Sequence, residues 1–284
     1  MNEKSIKQSS KQLLSKEREH SKQPKKIELR TRVDTLLNSM IAKFYQEIPF
    51  AQHMLNGTEI NMDYYKRHNI ETILRLRLKR TVDALAIRYF TKHDPVQAKA
   101  WAHYTEDEML HDREFFVKDL EAVGVSKDKI YSQEPLLSTK LLMGYLLYDV
   151  EYKDSPLALI SSVYFVEYTT VKTQPQWLDN LAKLLGKDKV SGARGHVNLD
   201  LKDDHDDFVW NVLVSLIKTP EDEEKVLDHI RNIGRLYVAY FIELHQLIIS
   251  GMTEEQFLGQ ALKSRGEGVG KEAEASDSRA PQNI

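Results

Sequence analysis

Apolar residues recurring at steps of three and four, with no sustained strand alternation anywhere, constrain this chain to helices. Leu29, Val33, Leu36, Leu37, Met40, Ile41 and Phe44 form one such face over residues 26–47, ended by Pro49. A second long helix is expected over residues 63–91. Asp94-Pro95 supplies an N-cap carboxylate ahead of a proline at the first helical position, opening a helix expected to reach Gly124 as its C-terminal cap. Ser155-Pro156 opens another in the same way, and Thr219-Pro220-Glu221-Asp222 adds an acid three positions after the cap, beginning a final helix that runs to Gly251. Further helices are expected near residues 136–148, 176–185 and 190–217. The sum is an all-α domain of about seven main helices with one core and no internal boundary.

Composition removes several classes of function. The net charge of −3 in 284 residues implies no nucleic-acid partner. Cysteine is absent, which excludes disulfides, thiolate zinc sites, iron–sulfur clusters and thiolate nucleophiles, so a bound metal must take oxygen and nitrogen ligands. Residues 1–26 are rich in Lys, Ser and Gln without an apolar signal core, and read as a disordered basic tail. Residues 263–284 have almost nothing to bury and read as a second disordered tail, leaving 27–262 as the folded domain. The most hydrophobic stretch, residues 156–171, is interrupted by Ser161, Ser162 and Glu167 and is short for a bilayer span. A cytoplasmic protein with no membrane partner is expected.

Ionisable groups at core positions carry the chemistry. Trp101, Tyr104, Glu108, His111 and Phe115 step by three and four along one face, so aromatic residues bracket a Glu-x-x-His pair that adjacent turns can deliver to one ion. The plainer reading is a solvent-facing pair among the polar residues Glu106, Asp107, Asp112 and Arg113. Glu167 shares a face with Ile160, Val163 and Val171, and a lone carboxylate there must stay protonated or meet a cation, from a metal or a distant helix. His196 and Asp200 are one turn apart on a third segment. In a regular helix His205 lies about 140° from Asp200, and a one-residue π-bulge restores a four-residue step; otherwise the acid run around it is a solvated or capping face. The basic stretch Arg75, Arg77, Lys79 and Arg80 reads as a solvated face or a set of intrahelical ion pairs. His93, His229 and His245 read as satisfied core or cap histidines.

Residues 45–250 resemble the haem-oxygenase-like di-iron oxidases, a class that includes a fatty-acid decarboxylase forming 1-undecene, a chlorolysine-cleaving oxidase and amino-acid N-oxygenases. The resemblance rests on residues 107–116, DEMLHDREFF; on 120–124; on Ser155-Pro156-Leu157-Ala158 leading to Tyr164-Phe165-Val166-Glu167; and on His196-x3-Asp200. It implies a single haem-oxygenase-like bundle holding two Fe(II) ions, or manganese on the same ligands, through Glu108, His111, Glu167, His196, Asp200 and His205. The family's last ligand helix carries His-x3-Asp-x2-His, whereas here that final position is Asp203, so Asp203, Asp204 and His205 compete for the sixth place. A mobile ligand helix is implied too, with Gly192 and Gly195 ahead of His196 permitting the motion. The implied reaction activates dioxygen through a peroxo-diferric intermediate to oxidise a small carboxylate- or amine-bearing molecule, an amino acid or fatty acid, by C–H abstraction with C–C cleavage or by N-oxygenation. An external electron donor and a second copy of the chain are the other partners implied.

Rival readings fare less well against the residues. A ferritin-like store wants a second Glu-x-x-His pair, and Glu243-Leu244-His245 has the wrong spacing. Haem oxygenase needs a proximal histidine on an early helix, and residues 26–47 hold none. The cysteine-dependent thiaminase relatives of the fold are excluded by composition. A metal-free helical binding protein would need a remote Arg to neutralise Glu167.

Overall fold

The computed structural model describes residues 27–48, 60–202, 205–253 and 256; both predicted tails lie outside them. Ten α-helices follow in order: α1 (27–47), α2 (Met62–His93), α3 (Pro95–Glu108), α4 (Val117–Ala122), α5 (Lys127–Tyr131), α6 (Leu137–Tyr152), α7 (Leu157–Leu185), α8 (Ser191–Lys202), α9 (His205–Leu216) and α10 (Pro220–Ile248). A π-helical turn, Asp112–Phe116, precedes α4, and a 3₁₀ turn, Lys187–Val190, precedes α8. No strand occurs among the described residues.

α7 is the axis of the bundle. Every residue from Pro156 to Phe165 is buried, as an all-round apolar helix requires, and α6, α8, α9 and α10 pack around it. The main core joins Val33 and Leu37 of α1, Val82 and Phe90 of α2, Trp101 of α3, Leu159 and Ile160 of α7, Leu213 of α9 and Ile233 of α10. α1 is pinned to α7 by two side-chain bonds, Tyr164 to Asp34 (2.7 Å) and Tyr168 to Asn38 (3.1 Å). A smaller core of Ile70, Ile73, Leu74, Val117, Leu120 and Ile130 holds α4 and α5 against α2.

Most boundaries lie where the local chemistry places them. Asp94 accepts from the backbone N–H of Val96 and Gln97, and Thr219 with Asp222 forms a complete capping box. Gly124, at φ 82°, ends α4 with its N–H on the Glu121 carbonyl while Val125 reaches back to Leu120.

The segment expected over 190–217 is helical in both described stretches, α8 and α9, with residues 203–204 between them outside the described residues. Three expectations are corrected. The helix expected to run unbroken from Pro95 to Gly124 breaks after Glu108 and resumes through the π turn. α7 continues through Pro175 to Leu185, absorbing the separate helix expected at 176–185. An interior proline costs about 3 kcal/mol, which contacts beyond it offset: Trp177 donates to the Tyr45 hydroxyl at 2.6 Å, and Arg194 pairs with Asp179 at 2.5 Å. The basic stretch of α2 is not a solvated face. Lys79 does form the anticipated intrahelical pair, with Asp83 at 2.8 Å, and Arg77 is exposed. Arg80, however, reaches the fully buried Asp112 of the π turn, and Arg75 lies over the Tyr240 ring at 4.4 Å.

α6 begins at a junction that two remote carboxylates satisfy. Glu71 of α2 accepts from the Leu136 N–H at 3.1 Å and the Thr139 hydroxyl at 2.7 Å. Glu243 of α10 accepts from the Leu137 and Ser138 N–H groups at 3.1 and 2.9 Å. Negative charge at a helix N-terminus meets both its orphan donors and its dipole, so Glu243 is a cap and no part of a metal pair.

Candidate metal centre

Ligand-type groups from separate elements meet beside α7. Glu108 closes α3, and His111 follows one turn later, directly before the π turn. Their facing atoms, Glu108 Oε1 and His111 Nδ1, stand 3.2 Å apart. Both atoms are buried, and the geometry gives neither a hydrogen bond. Two lone-pair-bearing atoms left so close without a proton properly shared between them suit a cation.

The remaining candidates complete two donor groups. Ligand atoms of Glu108, His111 and His196 lie within 4.8 Å of one another, as do those of Glu108, Glu167 and His205. Glu108 belongs to both. His196 comes from α8, its ring centroid 4.9 Å from that of His111, and His205 from the first residue of α9, with Nδ1 4.0 Å from Glu108 Oε1. The His111 side chain is 4% and the Glu108 side chain 11% exposed, so this pair does not face solvent. The Asp200 side chain, both Asp203 and Asp204, and the π-bulge expected between Asp200 and His205 lie outside the described residues. A π turn does adjoin the site, but on the other ligand segment, at Asp112–Phe116. Its widened backbone buries consecutive residues, His111 toward the donors and Asp112 toward Arg80.

α8 is positioned by backbone contact. Asp119 of α4 accepts from the N–H groups of Gly192 and Ala193 at 2.7 and 2.8 Å. A Cβ on Gly192 would stand 2.0 Å from the Phe115 carbonyl oxygen. That glycine therefore serves a close approach between α8 and the π turn.

Electrostatics around the donors are dominated by acid. Burial by itself pushes the Glu108 carboxyl up, but His111, Lys79 and His196 outweigh it and hold the group below its usual range. Lys79 of α2 loses by burial yet stays protonated beside Asp83, Glu108 and Glu167. Its direct partner is Asp83, so it offsets only part of the charge of three carboxylates. Tyr104 donates to Glu167 Oε1 at 2.7 Å; burial and then Glu167 and Glu108 raise the phenol well above its ordinary pKa. The Tyr104 hydroxyl thus keeps its proton. The acidic residues following His205 have partners of their own, Asp206 and Asp207 pairing with Arg30 at 3.2 and 2.5 Å.

Sequence periodicity put Tyr104 on the face of the Glu108 and His111 pair but did not reveal its bond to Glu167, and it missed Lys79 as a member of the site. The available signals were Tyr104 four residues before Glu108 and Lys79 four before Asp83, patterns common to ordinary helices.

No family model and no curated protein matches the chain. Solved structures do. A domain of unknown function with a haem oxygenase-like fold from Shewanella denitrificans OS217 superposes with a TM-score of 0.66 at 20% identity, covering 80% of this chain and 96% of that one. A TenA homologue from P. horikoshii OT3 gives a TM-score of 0.60 at 15% identity, covering 76% and 97%. The protein has a haem oxygenase-like all-α fold. Among its described residues no helix is long and apolar enough to cross a membrane.

Proposed function

We propose that this protein is a non-haem dinuclear-metal oxidase or oxygenase that uses dioxygen to oxidise a small carboxylate- or amine-bearing substrate. The observation that carries this reading is the pair of three-residue donor groups sharing Glu108, drawn from α3, the π-turn junction, α7, α8 and α9. Glu108, His111, Glu167, His196 and His205 would hold two ions, with Asp200 as the sixth ligand expected from sequence. A mixed carboxylate and imidazole set without thiolate suits Fe(II), and Mn(II) could take the same ligands. Bound Fe(II) would supply the electrons that reduce dioxygen, chemistry no side chain provides.

The protein's own groups have separable tasks. Glu108 offers one carboxylate to both donor groups. Tyr104 fixes the orientation of Glu167 through a hydroxyl that stays protonated, and Lys79 moderates the acidity of the cluster. Glu108, Glu167 and His196 line a cavity of about 670 Å³ whose wall includes Met40, Phe44, Leu159 and Val163, apolar cover suited to an organic molecule.

The test is metal analysis of protein made in iron-rich medium, with an oxygen pulse after anaerobic Fe(II) titration. Wild type should hold about two irons per chain and consume oxygen. Glu167→Ala and His196→Ala should each lose iron and oxygen consumption. Stoichiometric iron in both variants would sink the assignment.

A further inference from the structure

Within the cavity that reaches the donor cluster, one guanidinium feels Glu71 and two phenols but forms no ion pair among the described residues. Arg75 lines the wall from α2, one helical turn before Lys79. Its Nη2 donates to the Thr72 hydroxyl at 3.0 Å, and its guanidinium lies over the rings of Tyr240 (4.4 Å) and Tyr237 (5.7 Å). Nη1 is buried with no hydrogen-bond partner, and among the described residues Arg75 makes no ion pair. Glu71, the carboxylate one turn back, is already committed to Arg67 at 2.7 Å, the Leu136 N–H and the Thr139 hydroxyl. Guanidinium does not deprotonate, and a buried cation without an anion is costly, so an anion from outside is the missing partner.

We infer that Arg75 anchors the carboxylate of the substrate, and that this substrate is an apolar carboxylic acid rather than an α-amino acid. The inference rests on the reading of the adjoining donors as the reaction site. One guanidinium with a free edge matches a carboxylate in shape and charge, donating in parallel to its oxygens. An α-ammonium held close to that carboxylate would face the guanidinium's own charge. The nearby imidazole nitrogen His68 Nδ1 is already hydrogen-bonded to the Tyr240 hydroxyl at 2.9 Å. Phe165, Phe241, Leu159 and Val163 in the same wall give an aliphatic or aryl-aliphatic body its cover.

Calorimetric titration of the metal-free full chain with decanoate, decan-1-ol and decylammonium tests the anchor apart from iron. Decanoate should bind at least about 30-fold more tightly than the other two, the discrimination a buried charge-assisted pair gives. Arg75→Met should abolish that preference while leaving decan-1-ol within about 3-fold of wild type. Arg75→Lys, which keeps charge but loses the fork, should retain part of it. If circular dichroism shows Arg75→Met unfolded, the wild-type preference and its reduction in Arg75→Lys decide. Equal binding of decanoate and decan-1-ol, no binding of decanoate, or an undiminished preference in either folded variant overturns the anchor. Wild type that holds about two irons yet shows no preference defeats the anchor alone; wild type that prefers decanoate yet holds no iron defeats the dinuclear reading alone.

Discussion

The Tyr104 hydroxyl and the Glu167 carboxylate, from α3 and α7, are joined by a 2.7 Å hydrogen bond inside the bundle. It ties a buried acid on the central helix of the bundle to the segment that carries Glu108 and His111. Glu167 thereby keeps a fixed orientation toward His205 and Glu108. Tyr104 is a positioning residue in this arrangement.

Removing that hydroxyl should be felt in metal binding as well as in folding. Tyr104→Phe should lower stability by about 1.5–3 kcal/mol, the cost of one hydrogen bond to a charged group. Iron affinity should fall about 10-fold, as when a partner that orients a ligand is lost. Competition with a chelator of known affinity measures it; unchanged iron affinity would show that Glu167 needs no such support.

Two glycine substitutions should have opposite signs. Gly192→Ala drives a Cβ to 2.0 Å from the Phe115 carbonyl oxygen, a backbone atom that cannot turn aside. It should cost about 3 kcal/mol or more and displace His196 with α8. Gly144 sits on the exposed side of α6 with nothing within 4 Å of an added Cβ, so Gly144→Ala should gain about 0.5–1 kcal/mol. Urea denaturation of both reads the contrast. A neutral Gly192→Ala would mean that α8 approaches the π turn less closely.

His68 should make the folded protein sensitive to acid. Burial and the neighbouring Arg75 pull its pKa down to about 3, against about 6.5 for an unfolded histidine. Between those values the unfolded chain binds the extra proton, so stability is fully present above about pH 6.5 and is lost as pH falls toward 3, at up to about 1.4 kcal/mol per unit. The melting temperature of His68→Gln should therefore decline less steeply than that of wild type between about pH 6.5 and 4. Parallel curves would place the protonation of His68 at its ordinary value in the folded state.

Several features of the site are legible in the amino-acid sequence. Glu167 stands out because every neighbour on its face is apolar, and the Glu108 and His111 spacing places both on a face bracketed by aromatics. Asp94, Thr219 and Gly124 act on their own neighbours, so their roles are readable locally. Arg75 and Arg80 mislead because a basic stretch on a helix has the same composition whether it faces water or the interior. Pro175 misleads for a related reason. Its cost is local and visible, while the contacts of Trp177 and Arg194 that offset it come from distant residues.

The sequence by itself determined the helical class, the oxygen and nitrogen character of any metal site, and the burial of the central acid. These follow from periodicity and composition, which act within a few turns of chain. Only the tertiary structure decided that Glu108 serves both donor groups, that Tyr104 holds Glu167, that Glu71 and Glu243 cap α6, and that Arg75 faces a cavity. Each of these joins groups far apart in sequence, and such partners are chosen by how whole helices pack, a quantity no local pattern contains.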